Sequence, residues 1–370
     1  MKNVSRLATL GGVVVAGALA LSACGSDDNT SSSSSAAPTG DIDCAKATVN
    51  AAGSSAQKNA IEEWTKIYAS KCAGANLNYA ATGSGAGIKS FSDNQVAFAG
   101  SDSALKDEEL PAAQKRCGGA KPLNLPMVVG PVAVVYNVPG VDGIQVSPEL
   151  LANIFSGKVK TWNDPAIAKE NSGAKLPSTA IKVIYRADES GTTDNFTNYL
   201  NKTAPKIWKW EKAKKWPDAI ASAGQGAPQS AGVTTRVKQD AGAISYVEMS
   251  HAETNKLQTA KVKNGAGEYT ALSADSASKA IAGAEIVGTG NDVAMKIDYT
   301  TKEAGAYPIV LVTYEIACEK GLPAEQAKFV KSFLTYTASA DGQKVLSGIG
   351  YAPLPAAVQT KVQASVKALS

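Results

Sequence analysis

The chain has 370 residues, of which 44% are hydrophobic and 19% charged, with 37 basic residues, 33 acidic residues and one histidine. This composition excludes a disordered or collagen-like chain. A formal net charge of +4 is too weak for a nucleic-acid surface, and a single histidine leaves little from which to build a zinc or histidine-base centre.

Lys2 and Arg6 precede a mostly apolar run from Leu7 to Leu21, followed by Ser22-Ala23-Cys24. The run contains three glycines and is shorter than the roughly 20 residues of a membrane span, so residues 1–23 are predicted to be an export signal. Small residues directly before Cys24 resemble the lipobox of bacterial lipoproteins, which implies cleavage there and lipid on Cys24. Removing residues 1–23 lowers 37 basic residues to 35 against 33 acids, a formal net charge of +2. Residues 25–40 hold no large apolar side chain, so 24–43 is expected to be a lipidated cysteine followed by a flexible Ser-rich tether. Cys44, Cys72, Cys117 and Cys318 remain, and an even count in an exported chain predicts two disulfides with three possible connectivities. Cys44, ahead of the first strand, and Cys72, ending the next helix, fall at one sheet edge and can pair, leaving Cys117 for Cys318. The spacings fit neither a zinc motif nor a redox pair.

The roughly 330 residues beyond the tether exceed what one core usually holds, so two lobes with a ligand between them are expected. Val49 leads into Gly53-Ser54-Ser55, and Ile61, Trp64, Ile67 and Tyr68 follow at helical spacing. This strand, tight loop and helix repeat at Leu77–Ala80, Gly83-Ser84-Gly85-Ala86-Gly87 and Ile88–Phe91. Val96–Asp102 is a third strand that ends in a hydroxyl and a carboxylate. The β-branched run Leu125–Asn137, broken at Gly130-Pro131 and ended at Val138-Pro139-Gly140, is read as the crossover to the second lobe. There, Pro148–Phe155 is helical, and the strand Ile181–Tyr185 feeds Arg186-Ala187-Asp188-Glu189-Ser190-Gly191-Thr192. Lys206–Pro217 is read as a surface helix with its tryptophans inward. Gly224–Gly232 is read as a flexible loop, Ala243–Val247 as a strand, Tyr307–Cys318 as the return strand and Pro323–Tyr336 as an amphipathic helix. The lobes are therefore placed at 44–138 plus 301–370 and at 139–300.

Three small-hydroxyl loops at strand ends before helices suit an anion, because unpaired N–H groups and the positive dipole end collect there. Arg186 adds a planar fork of donors. A nucleotide-type phosphate loop needs Gly-Lys-Ser/Thr, and Ile88 spoils that match. His251 is taken as a solvated loop histidine, and no acid, cysteine and histidine cluster suggests a metal. No cofactor is expected. An enzyme using Ser84 or Ser190 as nucleophile is the alternative from another class, and a receptor for sulfate or molybdate is a further one.

These residues resemble the phosphate-binding receptors of phosphate-specific ABC transporters. The markers are Ala52-Gly53-Ser54-Ser55 with Trp64, Tyr79–Gly87, Ala99-Gly100-Ser101-Asp102, Lys160–Ala168, Arg186–Thr192, Tyr246-Val247-Glu248 and Tyr351–Pro355. The resemblance implies an α/β, two-lobed type II periplasmic-binding fold, each lobe a mixed sheet flanked by helices, with the ligand in the interlobe cleft. It implies a monomeric, lipid-anchored extracytoplasmic receptor without catalysis that delivers phosphate to membrane permease subunits and binds no nucleic acid. It further implies that Ser55, the Ala56 N–H, Ser84, Arg186, Ser190, Gly191 and Thr192 surround phosphate. Asp102 would accept the ligand's own proton, and Asp188 would hold the guanidinium. Ala56 and Glu189 depart from the family pattern. The hinge is expected near Val138-Pro139-Gly140 and Tyr307.

Overall fold

The computed structural model of the protein describes residues 42–370; the export signal, Cys24 and most of the tether lie outside the described residues. The chain begins with β1 (Thr48–Gly53), α1 (Lys58–Lys71), β2 (Asn76–Ala80), α2 (Ser84–Ser92), β3 (Phe98–Ser101) and the long β4 (Pro122–Tyr136). It continues with β5 (Lys182–Arg186), α3 (Gly191–Thr203), β6 (Gly224–Ala227), α4 (Gln229–Gln239), β7 (Ala243–Glu248) and α5 (Met249–Thr254). β8 (Val310–Cys318) and α6 (Ala324–Thr337) follow near the C-terminus. One sheet runs through the described residues in the order β2-β1-β3-β8-β4-β7-β5-β6, with the two-residue strand Gln258–Thr259 alongside β4.

β1 pairs in parallel with β2 and β3, and β5 in parallel with β6 and β7. β8 and β4 run antiparallel between these two groups. A strand covered on both faces reads as a continuous apolar run, and every residue of β4 and β8 is buried. β4 is unbroken at Gly130-Pro131. That is instead where its partner changes, from β8 as far as Pro131 to β7 from Val132 onward. Gly130 has no side chain because Leu311 lies there: a Cβ would sit 2.7 Å from the leucine Cδ1.

β4 also passes from one core to another at this point. Val128 and Val129 pack with Trp64, Phe98, Phe329 and Phe333, whereas Val132, Val134 and Tyr136 pack with Phe155, Trp162, Phe196 and Trp208. Ala277, Ala280, Ile281 and Val293, placed by sequence with the second half, pack into the first core. The crossing lies at Pro131 and Ile309, ahead of the Val138-Pro139-Gly140 turn.

Two sequence expectations are corrected here. Lys206–Pro217 forms no helix; Trp208 and Trp216 are nonetheless buried, stacked edge-on at 5.6 Å. Pro217 and the alternation of lysine with tryptophan favour an irregular strap, anchored by its buried tryptophans and by Lys214, which is buried and paired with Glu109 at 2.5 Å. The first part of Gly224–Gly232 is not a flexible loop but strand β6, hydrogen-bonded to β5. Disulfides join Cys44 to Cys72 and Cys117 to Cys318.

Candidate anion-binding site

β1 ends at Gly53, whose positive φ of 142° and contact with Gly100 O, where a Cβ would fall 2.0 Å away, admit only glycine. The turn that follows buries Ser54, Ser55 and Gln57. β3 ends at Asp102, 3% exposed, whose carboxylate takes hydroxyl hydrogen bonds from Ser54 (2.5 Å), Thr313 (2.8 Å) and Ser84 (3.2 Å). Burial pushes Asp102 up to about 6, with the Glu248 charge adding to the rise and Ser54, Thr313 and Arg186 opposing it.

Arg186 ends β5 and is 3% exposed. Its Nε and Nη2 form a fork on Asp188 at 2.8 and 2.5 Å, and Nη1 reaches Thr192 Oγ1 at 3.4 Å and Ser230 Oγ at 3.5 Å. Burial works against the Arg186 charge, but Asp188 and Glu248 outweigh it and raise its pKa. Asp188 is held below the usual carboxylate range: its burial is outweighed by the guanidinium and by the Gln229 N–H. Ser190 caps α3, accepting from Thr193 N at 3.2 Å.

The halves meet over this cluster. Gly191 N donates to Ser84 Oγ at 3.2 Å, Gly85 N to Glu189 O at 3.0 Å and Asn195 Nδ2 to Asp102 O at 2.6 Å. Ser55, Ser84, Asp102, Arg186, Ser190, Gly191 and Thr192 are thus all buried in one cluster of hydroxyls, amides, a carboxylate and a single guanidinium. Ala56 is buried beside them, but its N–H donates to Ser54 Oγ at 3.1 Å. Glu189 keeps its side chain exposed. A cavity of 1210 Å³ opens beside Asp102 and is lined also by Asn195, Asn198, Lys202 and Tyr299. Such a site can hold a compact, partly protonated anion, with donors for its oxygens and Asp102 as acceptor for a proton.

A model of the PBP superfamily domain matches residues 31–341. The phosphate-binding protein PstS 3 of Mycobacterium leprae is 41% identical over 365 residues, covering 97% of each chain. PstS 3 of Mycobacterium tuberculosis is 41% identical over 376 residues, the full length of both.

This chain belongs to the PstS phosphate-binding protein family.

A solved high-affinity periplasmic phosphate-binding protein, with phosphate bound, superposes with a TM-score of 0.70 at 23% identity, over 86% of this chain and 93% of its own. The fold of this family member is therefore the type II periplasmic-binding arrangement.

Four polar residues join the site without having been singled out for it. Ser54 and Thr313 hold Asp102. Ser230, at the N-terminal turn of α4, meets Ser55 Oγ at 3.0 Å and donates to Glu248 Oε2 at 2.9 Å. Glu248, fully buried at the end of β7, also receives the Thr192 hydroxyl. Ser230 shares the small hydroxyl of the other loops, but the strand before it pairs through its backbone and has no β-branched residue to announce it. His251 is not solvated: it is 6% exposed on α5, with Nε2 2.8 Å from Ser55 O, because the short α5 folds back onto the first loop.

Proposed function

We propose that this protein is an extracytoplasmic receptor that binds inorganic phosphate between its two halves and delivers it to the membrane permease of an ABC importer. Asp102 carries the reading. A buried carboxylate repels a dianion unless a proton lies between them, which monohydrogen phosphate supplies and sulfate does not. Ser55, Ser190 and Arg186 donate to the remaining oxygens, joined by Ser84, Thr192 and the Gly191 N–H as these exchange their present bonds to Asp102, Glu248 and Ser84 Oγ for the ligand, while Asp188 orients the guanidinium and offsets its charge. Ala56 contributes its N–H once Ser54 Oγ releases it.

The halves open and close about Gly130-Pro131 and Ile309, so that residues 132–138 move with the second half and residues 274–297 ride on the first. The protein acts as a monomer, without catalysis, held to the membrane by lipid on Cys24. Calorimetry with phosphate and sulfate tests the assignment. Phosphate is expected to bind tightly and sulfate about four to five decades more weakly, and Asp102→Asn to narrow that gap. Equal affinity of the unsubstituted protein for both anions defeats the reading, as does turnover of a chromogenic phosphate ester.

A further inference from the structure

Beneath the first loop lies a further buried acid that the site as described does not use. Glu315 sits in the middle of β8, opposite Gly100 of β3 on one side and Leu125 of β4 on the other, and is 1% exposed. Neither of its carboxyl oxygens has a hydrogen-bond partner, and neither has Gln57 Oε1. These groups adjoin one another. Gly100 has no side chain, and a Cβ there would fall 2.1 Å from Gln57 Nε2 and 2.4 Å from the Tyr79 hydroxyl, so the Gln57 amide fills the space over Gly100 beside Glu315. The titratable groups facing it are Asp102 from the end of β3 and Tyr79 from β2, with Tyr351 beyond Tyr79, and none of them is a base.

The Gln57 N–H faces Glu315 without completing a hydrogen bond to either oxygen, so three buried acceptors are crowded together, whereas buried polar groups in native proteins are paired. A single proton resolves the arrangement: Glu315 as a neutral acid donates to Gln57 Oε1 and accepts the second Nε2 hydrogen in return. That bond fixes the amide so that Nε2 donates to Tyr79 OH at 3.0 Å, and the Tyr79 hydroxyl donates onward to Ser54 O at 2.9 Å. The chain therefore ends on the turn that carries Ser54, the partner of Asp102, and Ser55.

We propose that Glu315 is a positioning residue that acts as a neutral acid, its proton anchoring the Gln57–Tyr79–Ser54 chain and so the anion-binding turn, and that loss of this proton releases the turn and places a second negative charge behind Asp102. The proposal rests on the phosphate reading for its binding test. Burial pushes Glu315 up to about 8, with Asp102 adding to the rise and Gln57 opposing it, so the proton leaves in mildly alkaline solution, where phosphate is already the dianion.

Phosphate titrations by calorimetry from about pH 6.5 to about pH 9.5 test it. The unsubstituted protein is expected to lose affinity about tenfold as the pH passes 8. E315Q, whose amide can donate in place of the acid, is expected to match it at neutral pH and to keep its affinity in alkali. E315A is expected to bind about tenfold more weakly throughout. An alkaline loss in E315Q equal to that of the unsubstituted protein overturns the proposal, as does E315Q binding as weakly as E315A at neutral pH. Infrared spectroscopy of ligand-free protein supplies an independent readout: a protonated-carboxyl band at pH 7 that E315Q lacks supports the proposal, and a spectrum unchanged by E315Q overturns it. A protein that binds no phosphate at any pH defeats the functional reading instead, and the infrared result still decides Glu315.

Discussion

Asp102 and Glu315 lie on one side of the sheet centre, the first satisfied by three hydroxyls and the second by none. A carboxyl raised from 3.8 to about 6 stays protonated in the folded protein at pH values where the unfolded chain has already released its proton. Stability of the ligand-free protein therefore falls as pH rises from about 3.8 to about 6 through Asp102, and levels off above. Selectivity runs the other way. Below about pH 6 a protonated Asp102 becomes a donor that sulfate accepts, so the phosphate-over-sulfate ratio is expected to shrink by up to about tenfold per pH unit. Competition titrations at stepped pH check this, and a ratio independent of pH contradicts it. At this scale Asp102 and Arg186 were legible because a carboxylate at a strand end and an arginine before a Ser-Gly-Thr turn are local patterns. Glu248 and Thr313 were not, since their roles come from strands that sequence separates from the loops they serve.

The recurring element is a strand feeding a small-hydroxyl turn and then a helix, and it occurs around α1, α2, α3 and α4. The first three were readable from glycine and serine placed between apolar periods. The fourth was hidden because Gly224–Ala227 pairs with β5 through its backbone and carries no β-branched residue to announce a strand. Close approach between the halves depends on these turns being bare. A Cβ at Gly191 would lie 2.6 Å from both Asp102 Cβ and Ser84 Oγ, contacts that exist only when the halves are together. Gly191→Ala is therefore expected to weaken phosphate binding at least about a hundredfold while leaving the melting temperature of the ligand-free protein within a few degrees, since the methyl obstructs closure and not the core of either half. A melting temperature lowered as much as the affinity would show that the glycine serves folding instead.

Length and the return of the chain in β8 pointed to two halves; the buried apolar residues form three clusters, and the point where β4 crosses from the first to the second was not foreseen. Gly130-Pro131 reads locally as a strand breaker, and only the change of partner from β8 to β7 shows why the strand continues through it. The covalent links sit in the first half: Cys117–Cys318 closes a separation of 201 residues and Cys44–Cys72 one of 28. Replacing Cys117 and Cys318 by serine is expected to lower stability by about 2–5 kcal/mol, read from urea unfolding with and without reductant. An unchanged midpoint would mean that the packing of β8 against β4 already supplies the restraint.

β4 and β8 cross between the cores side by side, hydrogen-bonded to each other up to Pro131 and Val310. Paired strands resist stretching and in-plane bending more than twisting, so in the proposed closure torsion along this pair is the coordinate by which one half turns on the other. On that proposal, capture of the anion is read at the outer rims as an angle, where a permease would meet the receptor without touching its cargo.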